Sequence, residues 1–110
     1  MILFVGEREL SLMKPSSILI NVSRAQLVDY DELYKQLSQD RIGGCGLDVY
    51  YNEPTTGKEK LLQHPKVVAT PHMAGSTRDI YQQAIDNAIL NFRRVCKGKE
   101  PFWVVNGVIS

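Results

Sequence analysis

Three short apolar runs, set between amphipathic and polar stretches, organise this chain. Ser17-Ile18-Leu19-Ile20-Asn21-Val22 is nearly continuous in apolar residues and predicts a strand buried on both faces. Cys45-Gly46-Leu47-Asp48-Val49-Tyr50 predicts a second strand, and Lys66-Val67-Val68-Ala69-Thr70, entered from Pro65, a third. Helical spacing fills the gaps. Glu7 to Met13 predicts a short helix, stopped because Pro15 disfavours helical backbone at Lys14. Asp29 is placed to cap a helix, with Glu32 completing a box-like pattern and Leu33, Tyr34 and Leu37 on its apolar stripe. That helix should end near Asp40-Arg41. The strongest periodicity comes last. Ile80, Ala84, Ile85, Ala88, Ile89, Phe92, Val95 and Cys96 recur near every 3.6 residues, behind a cap at Ser76 or Thr77. Gly98 is the expected left-handed stop. Asn52 to Gln63 reads as a polar loop with a helical turn at Leu61-Leu62, and Pro101 to Ile109 as an apolar tail, open to a strand reading.

Strands alternating with helices predict an α/β fold with a mostly parallel sheet and right-handed crossovers. The link from Tyr50 to Lys66 is the exception, since no full crossover helix is evident there. Ligands of open parallel sheets bind beyond the carboxyl ends of the strands. Arg24, Glu53 and His72 each follow a predicted strand, so this topology aims all three at one edge.

Composition narrows the picture mainly by exclusion. A chain of 110 residues predicts one small domain. A net charge of +1, with both signs interspersed, gives no electrostatic footprint for nucleic acid or a membrane surface. No apolar stretch approaches the ~18 residues of a membrane span. Met1 to Val5 is too short for a signal peptide and has no basic leader, so a cytoplasmic location is expected. Asn21-Val22-Ser23 matches a glycosylation acceptor and is read as coincidence at the end of an apolar strand. Cys45 and Cys96 are expected to be buried, reduced thiols. No metal site is expected.

The candidate chemistry is that of a carboxylate grip and a proton relay. An arginine stays charged at any working pH and offers a planar fork to a substrate carboxylate. A histidine titrates near neutrality and can give or take a proton. A carboxylate beside it favours the protonated ring. Arg24, Glu53 and His72 together suit reduction of a ketone, with the ring protonating oxygen as hydride reaches carbon. Taken singly, each has a plainer reading: a surface charge, a turn before Pro54, a satisfied structural histidine.

The surrounding residues carry a resemblance. Leu12-Met13-Lys14-Pro15, Leu19-Ile20-Asn21-Val22-Ser23-Arg24, Val28-Asp29, Gly46-Leu47-Asp48-Val49, Asn52-Glu53-Pro54 and Thr70-Pro71-His72-Met73-Ala74-Gly75-Ser76-Thr77 fall in the order and spacing of the D-isomer-specific 2-hydroxyacid dehydrogenases. The chain resembles their carboxyl-terminal part from about Gly6 to Gly107. The resemblance implies the second half of a Rossmann-like doubly wound parallel sheet, with about three strands and flanking helices, as an incomplete domain. Residues 1–100 then form the C-terminal half of a dinucleotide-binding domain. Residues 101–110 are a tail that in the family returns to the substrate domain. It further implies Arg24 as the substrate-carboxylate residue, His72 as the acid/base and Glu53 as its paired carboxylate. Asp48 matches the residue that hydrogen-bonds the nicotinamide carboxamide, although spacing alone equally allows a strand-end cap. Val22, Ser23, Ala74 and Gly75 match backbone near the nicotinamide. The implied cofactor is NAD, with NADP not excluded, and the implied substrate a small 2-keto or 2-hydroxy acid.

Two departures bear on that reading. Ala25 stands where the family usually has glycine, which strains the chain if that position needs a positive φ and is tolerable if it does not. The glycine fingerprint that holds a pyrophosphate is missing, and Gly43-Gly44-Cys45-Gly46 precedes a strand and lacks its spacing. Full activity is therefore expected to need a further half-domain. Half a doubly wound sheet also exposes an edge strand and an apolar helix face, which predicts self-association or association with the missing half. The competing expectation is a truncated, non-catalytic paralogue that acts only as such a module.

Overall fold

The computed structural model describes residues 3–105. They contain α1 (Glu7–Ser11), β1 (Ile18–Asn21), α2 (Tyr30–Ser38), β2 (Gly44–Leu47), β3 (Val67–Ala69) and α3 (Arg78–Cys96), with a 3₁₀ turn at Ala25–Leu27. They divide into two compact units, one ending at Ala74 and the other beginning at Gly75.

The first unit holds a three-stranded, all-parallel sheet in the order β1-β2-β3. The fold class is the expected one: a Rossmann-like α/β sheet fragment. Ile18 lies opposite Gly44 and Asn21 opposite Leu47, while Cys45 pairs with Val67 and Leu47 with Ala69. Each strand is shorter than its apolar run, because the flanking residues bend into the loops.

Side chains alternate across a strand. One face of this sheet carries Cys45 and Leu47, which pack with Leu10, Val28, Leu33, Leu37, Ile42 and Leu61 into the core. The sequence supplies that packing locally. Asp29 caps α2 by accepting the Glu32 N–H at 2.8 Å, which turns Leu33 and Leu37 inward. The reciprocal half of the box is replaced: the Glu32 carboxylate accepts from Gln36 and Lys35. Gly43 lets the chain return to the sheet. A Cβ there would meet the Ser16 and Ser17 backbone at 3.0 to 3.1 Å, and its N–H donates to the Ser17 carbonyl.

The opposite face corrects one expectation. β1 is not buried on both sides: Ile18 is 64% exposed and Ile20 70%, with Val68 at 71% on β3. Gly44 and Gly46 share that face with them, so the first unit supplies only one packing layer. A continuous apolar run records that both faces are apolar, whichever of them is covered. A feature not foreseen is the parallel bridge of Val5 to Val28, which ties the chain ahead of α1 to the turn before α2. From Tyr50 to Lys66 there is no crossover helix. The expected turn is present, and Leu61 enters the core.

The second unit is built on α3. Thr77 caps it by accepting the Ile80 N–H at 3.3 Å. Gly98 ends it at φ +67°, and the Lys99 N–H donates to the Arg94 carbonyl. The following turn is held by Asn91, which exchanges two hydrogen bonds with Phe102, and by Arg94, stacked 3.8 Å from the Phe102 ring. Residues 101–105 form no strand; the remainder of the predicted tail, 106–110, lies outside the described residues. No residue of α3 is buried.

The two cysteines therefore differ. Cys45 is buried and free as expected, and burial pushes its thiol up to about 12. Cys96 is free and exposed, which corrects the expectation of burial. Its helical stripe is apolar, but the described residues of its own unit offer no second layer to cover it.

Leu33 is fully buried, so Leu33→Ala should cost about 2–5 kcal/mol and lower the urea midpoint. Ile20→Ala, on the exposed face, should move it by no more than about 0.5 kcal/mol. Equal effects of the two would contradict the one-faced core.

Candidate functional site

Parallel strands in register end together, and the loops beyond β1, β2 and β3 carry the candidate residues. Asn21, at the end of β1, is buried and shapes the first loop. Its Oδ1 accepts from the Ser23 N–H at 3.1 Å and the Ser23 hydroxyl at 3.0 Å, while its Nδ2 donates to the Arg24 carbonyl at 2.9 Å. This is an Asx turn, in which a side chain stands in for backbone. It presents Arg24 at φ −139°, just before the 3₁₀ turn. Ala25 opens that turn, buried and without a positive φ, so alanine is unstrained there. One Arg24 nitrogen donates to the Ser23 carbonyl at 2.7 Å.

The loop after β2 brings Glu53 back towards the sheet. The Tyr50 N–H donates to Glu53 Oε1 at 3.0 Å, and Glu53 Oε2 lies 3.0 Å from His72 Nδ1. These contacts, the Tyr50 amide first and the His72 ring second, hold the Glu53 carboxyl below its ordinary range. Arg24 adds a smaller pull in the same direction. An ionised carboxylate only accepts, so Nδ1 donates in this contact, and Nε2 has no hydrogen bond among the described residues. The Glu53-Pro54 peptide is cis.

The loop after β3 carries His72 in the left-handed region, at φ +52°. A non-glycine residue there costs roughly 1–2 kcal/mol, so its surroundings must impose it. Next to this loop lies Asp48, which is 3% exposed. Its Oδ1 accepts from the Thr70 hydroxyl at 2.5 Å and the Met73 N–H at 2.9 Å, and its Oδ2 from the Ala74 N–H at 2.8 Å. The Thr70 hydroxyl, then the Ala74 and Met73 amides, keep this carboxyl below its ordinary range. The Tyr50 hydroxyl donates to the Thr70 carbonyl, and the His72 N–H donates to the same atom at 2.9 Å.

Arg24, Glu53 and His72 thus line one open depression of about 270 Å³, with Tyr50 and Tyr51 along its wall. Val22, 56% exposed, and Ser23 lie in the first loop and Ala74 ends the third; Gly75 is the first residue of the second unit. The sequence reading missed Asn21, Tyr50 and Thr70. An asparagine at the end of an apolar run, two residues before serine, is the signal for the Asx turn. Neither hydroxyl contact has a local signal, because each crosses at least 20 residues.

Comparison with known proteins places the chain in a family. The model of the D-isomer specific 2-hydroxyacid dehydrogenase NAD binding domain matches residues 3–74. The chain belongs to this family. It is 39% identical over 102 residues to a glyoxylate reductase of Thermococcus litoralis, covering 93% of this chain and 30% of that protein. Among solved structures it is similar to the NAD-complexed D-isomer specific 2-hydroxyacid dehydrogenase of Lactobacillus delbrueckii ssp. bulgaricus. The TM-score there is 0.75 at 31% identity, over 94% of this chain and 35% of that one. An acyclic imino acid reductase in complex with NADPH and D-Arg gives a TM-score of 0.79 at 33% identity, over 90% and 31%. The chain spans about a third of each of these relatives. The cofactor class is therefore nicotinamide dinucleotide, with both NAD and NADPH found among the neighbours.

The Glu53 contacts make a pH prediction. Its folded-state pKa lies below the ordinary 4.5, so the stabilisation is complete above 4.5 and disappears as pH falls through the lower value. Glu53→Gln should therefore flatten the acid limb of stability below pH 4.5. Urea melts of both proteins at pH 3 to 7 measure this; superimposable acid limbs would refute it.

Proposed function

We propose that this chain carries the catalytic set and the nicotinamide end of an NAD(P)-dependent 2-hydroxyacid dehydrogenase, acting on a small 2-keto or 2-hydroxy acid of the glyoxylate class. The observation that supports it most is the His72 ring, with Nδ1 held by Glu53 and Nε2 without a partner among the described residues, in the depression that Arg24 also lines. Arg24 grips the substrate carboxylate and sets the keto carbon in place. His72 Nε2 gives its proton to the keto oxygen on reduction and takes the hydroxyl proton on oxidation. Glu53 fixes the ring's orientation through its contact with Nδ1. A nicotinamide dinucleotide, when bound, would supply the hydride.

The residues present fit only one end of that cofactor. An ionised carboxylate offers about four acceptor directions. Asp48 has filled three, which leaves one on Oδ2 for a single N–H such as that of a carboxamide. No G-x-G-x-x-G turn is present in the sequence to hold a pyrophosphate. The reading therefore includes a partner that supplies the other half of the cofactor domain, and residues 101–110 as the tail leading back to a substrate domain.

The exposed sheet face favours a second reading beside the first. Ile18, Ile20, Val22 and Val68 form an apolar surface in the first unit. Such a surface supports association, with a second copy or with the missing half, whether or not the chain is catalytic.

Turnover of glyoxylate with NADH or NADPH separates the readings. The chain supplemented with the family's upstream half should turn over substrate. His72→Ala should lower kcat by about 10²–10⁴-fold, and Arg24→Gln should act mainly on KM. Full turnover by His72→Ala would dismiss the proton-transfer role. If no supplement gives turnover while light scattering shows an oligomer that Ile20→Lys disperses, the module reading stands instead.

A further inference from the structure

We infer that Asp48 is the positioning residue of His72: its carboxylate pins the chain on both sides of the histidine and thereby seats the imidazole against Glu53. The inference rests on the reading of His72 as the acid/base, and it extends the role of Asp48 beyond a cofactor contact.

The geometry is a bracket. Thr70, two residues before His72, is held through its hydroxyl, and Met73 and Ala74, the two residues after it, through their amides. All three donors converge on one buried carboxylate at the end of β2. The Asp48 N–H is itself tied to β1 by donation to the Asn21 carbonyl at 3.0 Å, so the bracket stands on the sheet. Between the pinned points, His72 holds its left-handed conformation. Glu53 touches only the ring and comes from a different loop, so it can select the ring's orientation but cannot hold the backbone. Asparagine at position 48 would keep one acceptor oxygen and turn an NH₂ towards a backbone N–H, which opens one side of the bracket.

The same carboxylate has one acceptor direction left. A carboxamide that used it would join cofactor contact and histidine placement in a single side chain. Asp48 then seats His72 even before the cofactor arrives.

The test is nuclear magnetic resonance on the full chain without cofactor or substrate. In the unaltered protein, couplings across the hydrogen bonds should link the Met73 and Ala74 amide nitrogens to the Asp48 carboxylate carbon. In Asp48→Asn, exchange of those two amides should accelerate by about tenfold or more. The His72 ring-nitrogen shifts should lose the Nδ1–H signature, while the amide spectrum of α2 and β1 stays in place. Glu53→Gln should change the ring signature and leave the Met73 and Ala74 amides protected. Thr70→Ser should keep both readouts. An unchanged ring signature in Asp48→Asn overturns the inference. So does absence of the couplings in the unaltered chain, which decides the matter if Asp48→Asn does not fold. Turnover surviving His72→Ala would defeat the acid/base reading while leaving these readouts as they are, so the two failures are distinct.

Discussion

The parallel pairing of β1 with β2 and of β2 with β3 sets Asn21 beside Leu47 and Leu47 beside Ala69. Three loops consequently leave one edge of the sheet within reach of each other. Arg24, Glu53 and His72 are separated by 48 positions from first to last, counting from 24 to 72, yet they line one depression because of this register. A slip of one residue in any pairing would move the side chains of that strand to the other face. It would take Leu47 out of the core and Asp48 away from the loop that it brackets. Core packing and site geometry therefore depend on the same hydrogen-bonded ladder.

Beyond the strands, buried polar side chains take over from regular structure. Asn21 and Asp48 sit at the ends of neighbouring strands, and each organises the loop beyond, Asn21 its own and Asp48 the next strand's. A buried polar group without partners is costly, so each is effectively committed to its bonds. This commitment lets short loops hold functional side chains without helical or strand geometry. It also allows Ala25 and His72 to depart from simple sequence rules. The alanine is comfortable because a 3₁₀ turn needs no positive φ there, and the histidine adopts a positive φ because its neighbours are fixed.

Much of this was legible in the sequence, and the boundary is physical. Local signals carried the helices: Asp29 and Thr77 as caps, Gly98 as a stop, and the periodic stripes of α2 and α3. Apolar runs located the three strands, and motif order brought in Arg24, Glu53 and His72. What stayed hidden depends on contacts distant in sequence. The Tyr50 and Thr70 hydroxyl bonds, the Val5 bridge to Val28 and the one-sided burial of β1 all belong to this class. A run such as Ile18-Leu19-Ile20 reports what a surface can bury, and only the packing reports what it does bury.

The unequal cysteines give the molecule an internal clock. Cys96 is exposed, so a thiol reagent reaches it without any opening of the structure. Cys45 sits in the middle strand with its thiol protected by burial, and it becomes reactive only when β2 parts from its neighbours. The delay between first and second labelling thus times the opening of the strand on which the whole site stands.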